Sequence, residues 1–97
     1  MASLRIDIPE EIDICGLRWK IVRKRMKDRG MAHLDSRIID LADRLSGEEL
    51  EQTYLHELTH VVLHVSGLNS LLNEELEEAI CLAMENILYT QLGKAKP

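Results

Sequence analysis

The sequence predicts an α+β fold, in which a small N-terminal antiparallel β-sheet is followed by two long helices. β-branched and aromatic residues alternate loosely with polar ones over residues 11–24, which is typical of strands. Apolar residues recur at helical spacing over residues 50–65, and a second apolar stripe runs from residue 76 to residue 88. A β-rich half followed by a helical half indicates the α+β class.

Length and composition indicate one domain, residues 1–97, with a modest core. Only 3% of the residues are aromatic, so this core must be aliphatic. No apolar run approaches the roughly 20 residues that a membrane span needs, and the acidic N-terminus lacks the apolar stretch of a signal peptide. Cys15 and Cys81 form neither a disulfide framework nor a CxxC motif. We therefore expect a soluble, cytoplasmic protein.

The charge is unevenly distributed along the chain. Residues 1–30 hold eight Lys and Arg against five Asp and Glu, whereas residues 31–97 hold four against twelve. The basic stretch 18–29 is best explained as a solvated strand and turn, because an acidic protein with few aromatics is a poor candidate for binding nucleic acid. A third hypothesis is a binding protein that uses this basic stretch, which charge reversal at Arg23 and Arg25 would test, with any metal site vestigial.

The ends of the strands are predicted from glycine and from stretches with the composition of a turn. Gly16 is expected to mark a turn, so that residues 11–15 and 17–24 form a hairpin. The "KDRG" stretch at 27–30 has the composition of a turn. Residues 31–42 then offer one or two short strands that complete the antiparallel sheet.

The two helices are predicted at about 47–66 and about 74–92. The first begins with a capping box, in which the side chains of Ser46 and Glu49 each accept a hydrogen bond from the other residue's backbone N–H. It ends before Gly67. Asn73 caps the second helix, which ends at Gly93. Its apolar stripe is expected to pack into the core, and the "AICLAM" run indicates that more than one side is covered.

The segment "LHELTHVVLH", residues 55–64, contains the candidate metal ligands and general base. His56 and His60 are four residues apart on a helix, so both imidazoles face the same way and converge on one metal ion. Glu57 lies about 100° round the helix, where it reaches a water on the ion rather than the ion itself, as a general base should. This H-E-x-x-H pattern predicts a Zn²⁺ site, although manganese, cobalt or iron also accept such ligands.

A catalytic zinc needs a third protein ligand. His64 lies about 12 Å along the helix axis from His56, too far to share one ion, so we expect it either to be structural or to support a ligand without binding the ion. The acidic residues of the second helix are the candidates. Glu78 is favoured because it shares a face with Cys81 and Glu85, and Glu77 stays open as the alternative.

With these residues identified, "HELTHVVLH" and "EEAICLAMENIL" resemble the ImmA/IrrE-like zincin metallopeptidases, in the small single-domain form of bacterial and phage genomes. The resemblance covers about residues 36–90 and implies a minimal zincin fold. It also implies a zinc-binding and catalytic set, namely His56 and His60 as zinc ligands, Glu57 as catalytic acid/base and Glu78 as third ligand. The chain has Leu82 where the family often has Asn, which keeps Glu77 open, and Thr59 where the family often has Gly.

We therefore expect a zinc metallopeptidase that acts on a protein or peptide, and the resemblance points to a regulatory protein. No membrane or nucleic-acid partner is expected, and the oligomeric state stays open. The strand at 37–41 is expected beside the cleft, with its edge free to pair with an extended peptide. His33 and Tyr54 are the candidate oxyanion stabilisers. The alternative is a non-catalytic, zinc-stabilised interaction module, whose fourth ligand would be His33 or Cys15.

Overall fold

A computed structural model of the chain describes residues 7–94 and has the predicted α+β order, a sheet followed by helices. Its strands are β1 (Glu11–Ile14), β2 (Leu17–Lys24), β3 (Gly30–His33) and β4 (Ile38–Ala42). The ends of the predicted domain, residues 1–6 and 95–97, lie outside the described residues. None of the helices within 7–94 has both the length and the apolar character that crossing a bilayer demands.

The prediction of a purely antiparallel sheet is wrong. The strand order is β1-β2-β4-β3, and β2 pairs with β4 in parallel, whereas β1–β2 and β3–β4 are antiparallel hairpins. The sequence of β4 explains this order. Four of its five residues are buried, because a strand this apolar is best placed in the interior of a sheet. The short strand β3 is left at the edge.

The core lies between one face of the sheet and the first helix, α1 (Gly47–Val65). The inward-facing residues of the central strands pack against the apolar face of α1, and all of them are at most 8% exposed. The strand residues are Trp19, Ile21, Ile39 and Leu41, and the helix residues are Leu50, Tyr54 and Val61. The alternation of β2 places every second side chain on this face. The sheet therefore serves as a platform that holds α1 in place.

Helix α1 matches its predicted bounds closely, but the predicted capping box does not form. Ser46 is the N-cap residue, yet its side chain makes no capping hydrogen bond. Its carbonyl oxygen accepts from the Leu50 N–H at 3.4 Å. At the other end the chain leaves the helix through Gly67, whose φ of 82° lies in the left-handed region that glycine tolerates. A 3₁₀ turn, Leu68–Leu71, then leads to the second helical stretch.

The second helical stretch is interrupted. It consists of α2 (Glu74–Ala83), a π-helical turn (Met84–Leu88) and α3 (Tyr89–Lys94), so the prediction of one helix ending at Gly93 is wrong. The predicted cap is present, because Asn73 Oδ1 accepts from the Leu76 N–H at 2.7 Å.

The predicted apolar stripe of this stretch does not pack into the core. Leu76 is 49% exposed and Ile87 is 67% exposed, whereas Cys81, Glu85 and Tyr89 are buried. Residues four apart on an α-helix drift by about 40° round the axis, and the wider π turn reverses that drift. The π turn therefore keeps these three buried residues in line against α1.

Candidate metal centre

Helix α1 presents His56 and His60 side by side, one turn apart. Their ring centroids are 5.1 Å apart and their planes meet at 63°. His56 is buried and His60 is half-buried, since α2 and the π turn cover this side of α1. The pair therefore sits in a partly desolvated site, as the helical spacing predicts.

The Nε2 atoms of both histidines face the carboxylate of Glu78. Glu78 Oε1 lies 2.7 Å from His56 Nε2, and Glu78 Oε2 lies 3.4 Å from His60 Nε2. The Glu78 side chain is 51% exposed, so it approaches the histidines from the solvent side. Two imidazole nitrogens and one carboxylate are a set of donors that suits a catalytic zinc ion.

Each of the two histidines also meets a carboxylate at its Nδ1 atom. Glu85 Oε1 lies 2.6 Å from His56 Nδ1, and Glu77 Oε2 lies 2.7 Å from His60 Nδ1. An ionised carboxylate can only accept, so such contacts favour a hydrogen on Nδ1 and leave Nε2 to bind a metal. Position thus distinguishes the two candidates for third ligand, because Glu77 contacts only the Nδ1 side of His60, whereas Glu78 faces the Nε2 atoms of both rings.

Sequence reasoning assigned no role to Glu85. Its side chain is 7% exposed, and its second oxygen, Oε2, lies 3.4 Å from Arg29 Nη2. A buried carboxylate is costly unless it is paired, and here His56 and Arg29 are its partners. The π turn, which gave no signal in the sequence, turns this residue towards α1.

Glu57 lies in the same site, with its carboxylate turned towards strand β3. It is 9% exposed and accepts a hydrogen bond from the backbone N–H of Ala32. Burial raises the pKa of the Glu57 carboxyl above its ordinary value, while His56 and His60 act in the opposite direction. A carboxylate that has lost part of its hydration beside a site of this kind is well suited to accept a proton.

Gly30 allows β3 to lie this close to α1. A Cβ atom at this position would lie 3.0 Å from Thr53 Cγ2, 3.0 Å from the Asp40 carbonyl oxygen and 3.1 Å from Glu57 Cγ. We expect Gly30→Ala to cost about 1–3 kcal/mol of unfolding free energy, because overpacking forces the strand and the helix apart. Urea unfolding measures the change. The exposed Ser36→Ala in the β3–β4 turn is the control, and equal stability of the two variants would contradict the tight contact.

A cleft of about 400 Å³ opens between β3 and the helices. Its walls combine the backbone of the edge strand with the polar site; the lining residues are Gly30, Met31, Ala32, Leu34, His56, Glu57, His60, Glu77 and Glu78. The expectation that the strand at 37–41 borders the cleft with a free edge is wrong. That strand is β4, which lies between β2 and β3, and β3 takes its place beside the cleft.

Cys81 belongs to the same site, although sequence reasoning assigned it no metal-binding role. Donor atoms of His56, His60 and Cys81 all lie within 4.8 Å of one another, and Cys81 is fully buried. Burial raises the pKa of its thiol to about 12, and the nearby carboxylates, Glu78 foremost, act in the same direction. A usable signal was present, since residues three apart on a helix share a face and Cys81 follows Glu78 by three.

The other candidates lie elsewhere. His33 Nε2 is 2.7 Å from Asp40 Oδ2, and Tyr54 is buried in the core, where burial raises the pKa of its hydroxyl; neither lines the cleft. His64 lines a separate depression beside Trp19. Cys15 is exposed in the β1–β2 turn, and it is not part of the cluster of donor atoms around the histidines.

The residues present fit a divalent cation. Four carboxylates and a thiol surround two imidazoles, and His56 faces a carboxylate at each ring nitrogen. A positive charge between the Nε2 atoms and Glu78 would balance this concentration of acid. Comparison of the chain with protein-family models, with curated proteins and with solved structures finds no match.

Proposed function

We propose that this protein is a zinc-dependent metallopeptidase, in which His56, His60 and Glu78 hold the metal and Glu57 is the catalytic acid/base. One observation carries the proposal. The Nε2 atoms of both histidines face a single carboxylate, while a second carboxylate, that of Glu57, lies buried beside them and opens on the same cleft. Ligands and base are thus separate groups, as hydrolysis requires.

The chemistry follows from this division of roles. A zinc ion held there would supply a positive charge that lowers the pKa of a bound water to about 7 and polarises the scissile carbonyl. Glu57 takes a proton from the attacking water as the water oxygen bonds to the carbonyl carbon. It returns that proton to the amide nitrogen as the C–N bond breaks. Burial removes part of the hydration of the Glu57 carboxylate, which favours its acceptance of the proton from water.

The cleft is suited to an extended peptide. The Ala42 N–H donates to the Arg29 carbonyl at 2.8 Å, and in the alternating antiparallel pattern this turns the backbone polar groups of Gly30 and Ala32 away from β4. The Ala32 N–H donates to Glu57, and the other groups form the edge along the cleft wall where a substrate strand can pair. A protein or peptide is therefore the proposed substrate class. Following the family resemblance, we propose a regulatory protein of the cytoplasm.

Metal binding is the first test. We expect wild-type protein to bind about one zinc ion per chain. Glu77→Ala should lower the zinc affinity by about 10–100-fold, as loss of a residue that orients a ligand does, whereas Glu78→Ala should lower it further because a ligand is removed. Competition with a chromophoric chelator measures both affinities. Equal losses in the two variants would contradict the assignment of Glu78, and a wild type that takes up no zinc would overturn the proposal.

A further inference from the structure

We propose that Cys81 is a fourth protein ligand of the metal, so that the resting site is closed and the hydrolase is latent. This inference rests on the proposed function, and it adds a regulatory role for a residue that the hydrolysis itself does not need.

The distances support coordination. Zinc holds nitrogen at about 2.0–2.1 Å and sulfur at about 2.3 Å, so at tetrahedral angles two such donors on one ion lie roughly 3.3–3.6 Å apart. The donor atoms of Cys81, His56 and His60 lie within 4.8 Å of one another. Side-chain rotations that draw these atoms together by no more than about 1.5 Å would therefore bring all three onto one ion.

The direction of approach explains why the site would be closed. Glu78 reaches the histidines from the solvent side, with half of its side chain exposed, whereas Cys81 is fully buried and reaches them from inside the fold. Two histidines, one carboxylate and one thiolate complete the four ligands of a structural zinc site, and a catalytic site keeps one position open for water. Hydrolysis would then require the sulfur to leave the metal.

The exchange is balanced and needs no oxidant. When Cys81 binds, a metal–sulfur bond forms and the thiol proton passes to solvent. When Cys81 leaves, a water molecule takes the vacated position and the thiolate recovers a proton. The ordinary alternative is that Cys81 is a small apolar side chain that fills space between the helices.

Cobalt(II) distinguishes these cases without a substrate. We expect the cobalt-loaded wild type to show near-ultraviolet thiolate-to-cobalt charge-transfer absorption, which Cys81→Ala and the isosteric Cys81→Ser lose and Cys15→Ser keeps. Identical spectra for wild type and both Cys81 variants would overturn this inference while leaving the histidine site intact. Absence of cobalt binding in the wild type would overturn the proposed function as well.

Activity provides the second measurement. We expect Cys81→Ala to retain zinc and to cleave fluorescently labelled casein several-fold faster than wild type, because the open position is restored. Unchanged or slower cleavage by a variant that holds zinc and unfolds at the wild-type temperature would overturn latency.

Discussion

Replacing Glu57 by Gln should lower peptide hydrolysis by about 10²–10⁴-fold, the range that one general acid–base group contributes, while zinc content stays unchanged. Gln keeps the shape of the side chain and an oxygen that can accept from the Ala32 N–H, but it cannot take the proton of water. Glu57 lies beside the ligands without being one of them. This variant should therefore lose peptide hydrolysis while it keeps metal binding.

The fold should also survive this substitution. Burial raises the pKa of Glu57, so the folded metal-free protein holds a proton more tightly than the unfolded chain, and its stability falls as pH rises through the folded-state pKa. Gln carries no charge to desolvate, so metal-free Glu57→Gln should unfold at or above the wild-type temperature at neutral pH. Calorimetry and zinc analysis on the same sample keep a loss of activity from being confused with unfolding.

Hydrolysis is best measured on labelled casein in both the wild-type and the Cys81→Ala background, so that a closed site does not hide the effect. Glu49→Gln is the matched control, because Glu49 is an exposed glutamate in the first turn of the same helix. Hydrolysis that persists in zinc-loaded Glu57→Gln would show that Glu57 is not the general base. A chain without hydrolysis in any background would favour a zinc-stabilised interaction module.

The first helix could be predicted from sequence because its signals are local. Its bounds, the shared face of His56 and His60, and the separate direction of Glu57 all follow from 3.6-residue periodicity. The sheet order could not be read in the same way. Whether β4 lies beside β2 or beyond β3 depends on which strand must be buried on both faces, and that is decided only when α1 packs on the sheet.

The orientation of α2 shows why apolar periodicity fails at a site of this kind. The apolar stripe through Leu76 and Ile87 predicts the buried face, yet the face with Cys81 and Glu85 is the one against α1. Periodicity alone assigns Glu85 to solvent, because an isolated buried carboxylate is costly. Partners on another element, His56 above all, remove most of that cost, and no pattern within α2 reveals them.

Glu85 is a buried residue that should strengthen metal binding without being a ligand itself. Its carboxylate contacts His56 Nδ1 at 2.6 Å and Arg29 at 3.4 Å, so it fixes the orientation of a ligand while being held itself. We expect Glu85→Ala to weaken zinc binding by about 10–100-fold, as loss of such contacts typically does. Glu85→Gln should recover part of that loss, because its amide oxygen still accepts from Nδ1 but carries no charge.

The recovery by Gln distinguishes a positioning residue from one that merely fills space. A space-filling role predicts wild-type zinc affinity for Glu85→Gln, because the two side chains have nearly the same volume. A positioning role predicts an affinity between those of wild type and Glu85→Ala, measured by chelator competition. Glu75→Gln, at an exposed position in the first turn of α2, controls for the loss of one acidic charge. Full zinc affinity in Glu85→Ala would mean that His56 is held in place by packing alone, and that the π turn serves the fold rather than the metal.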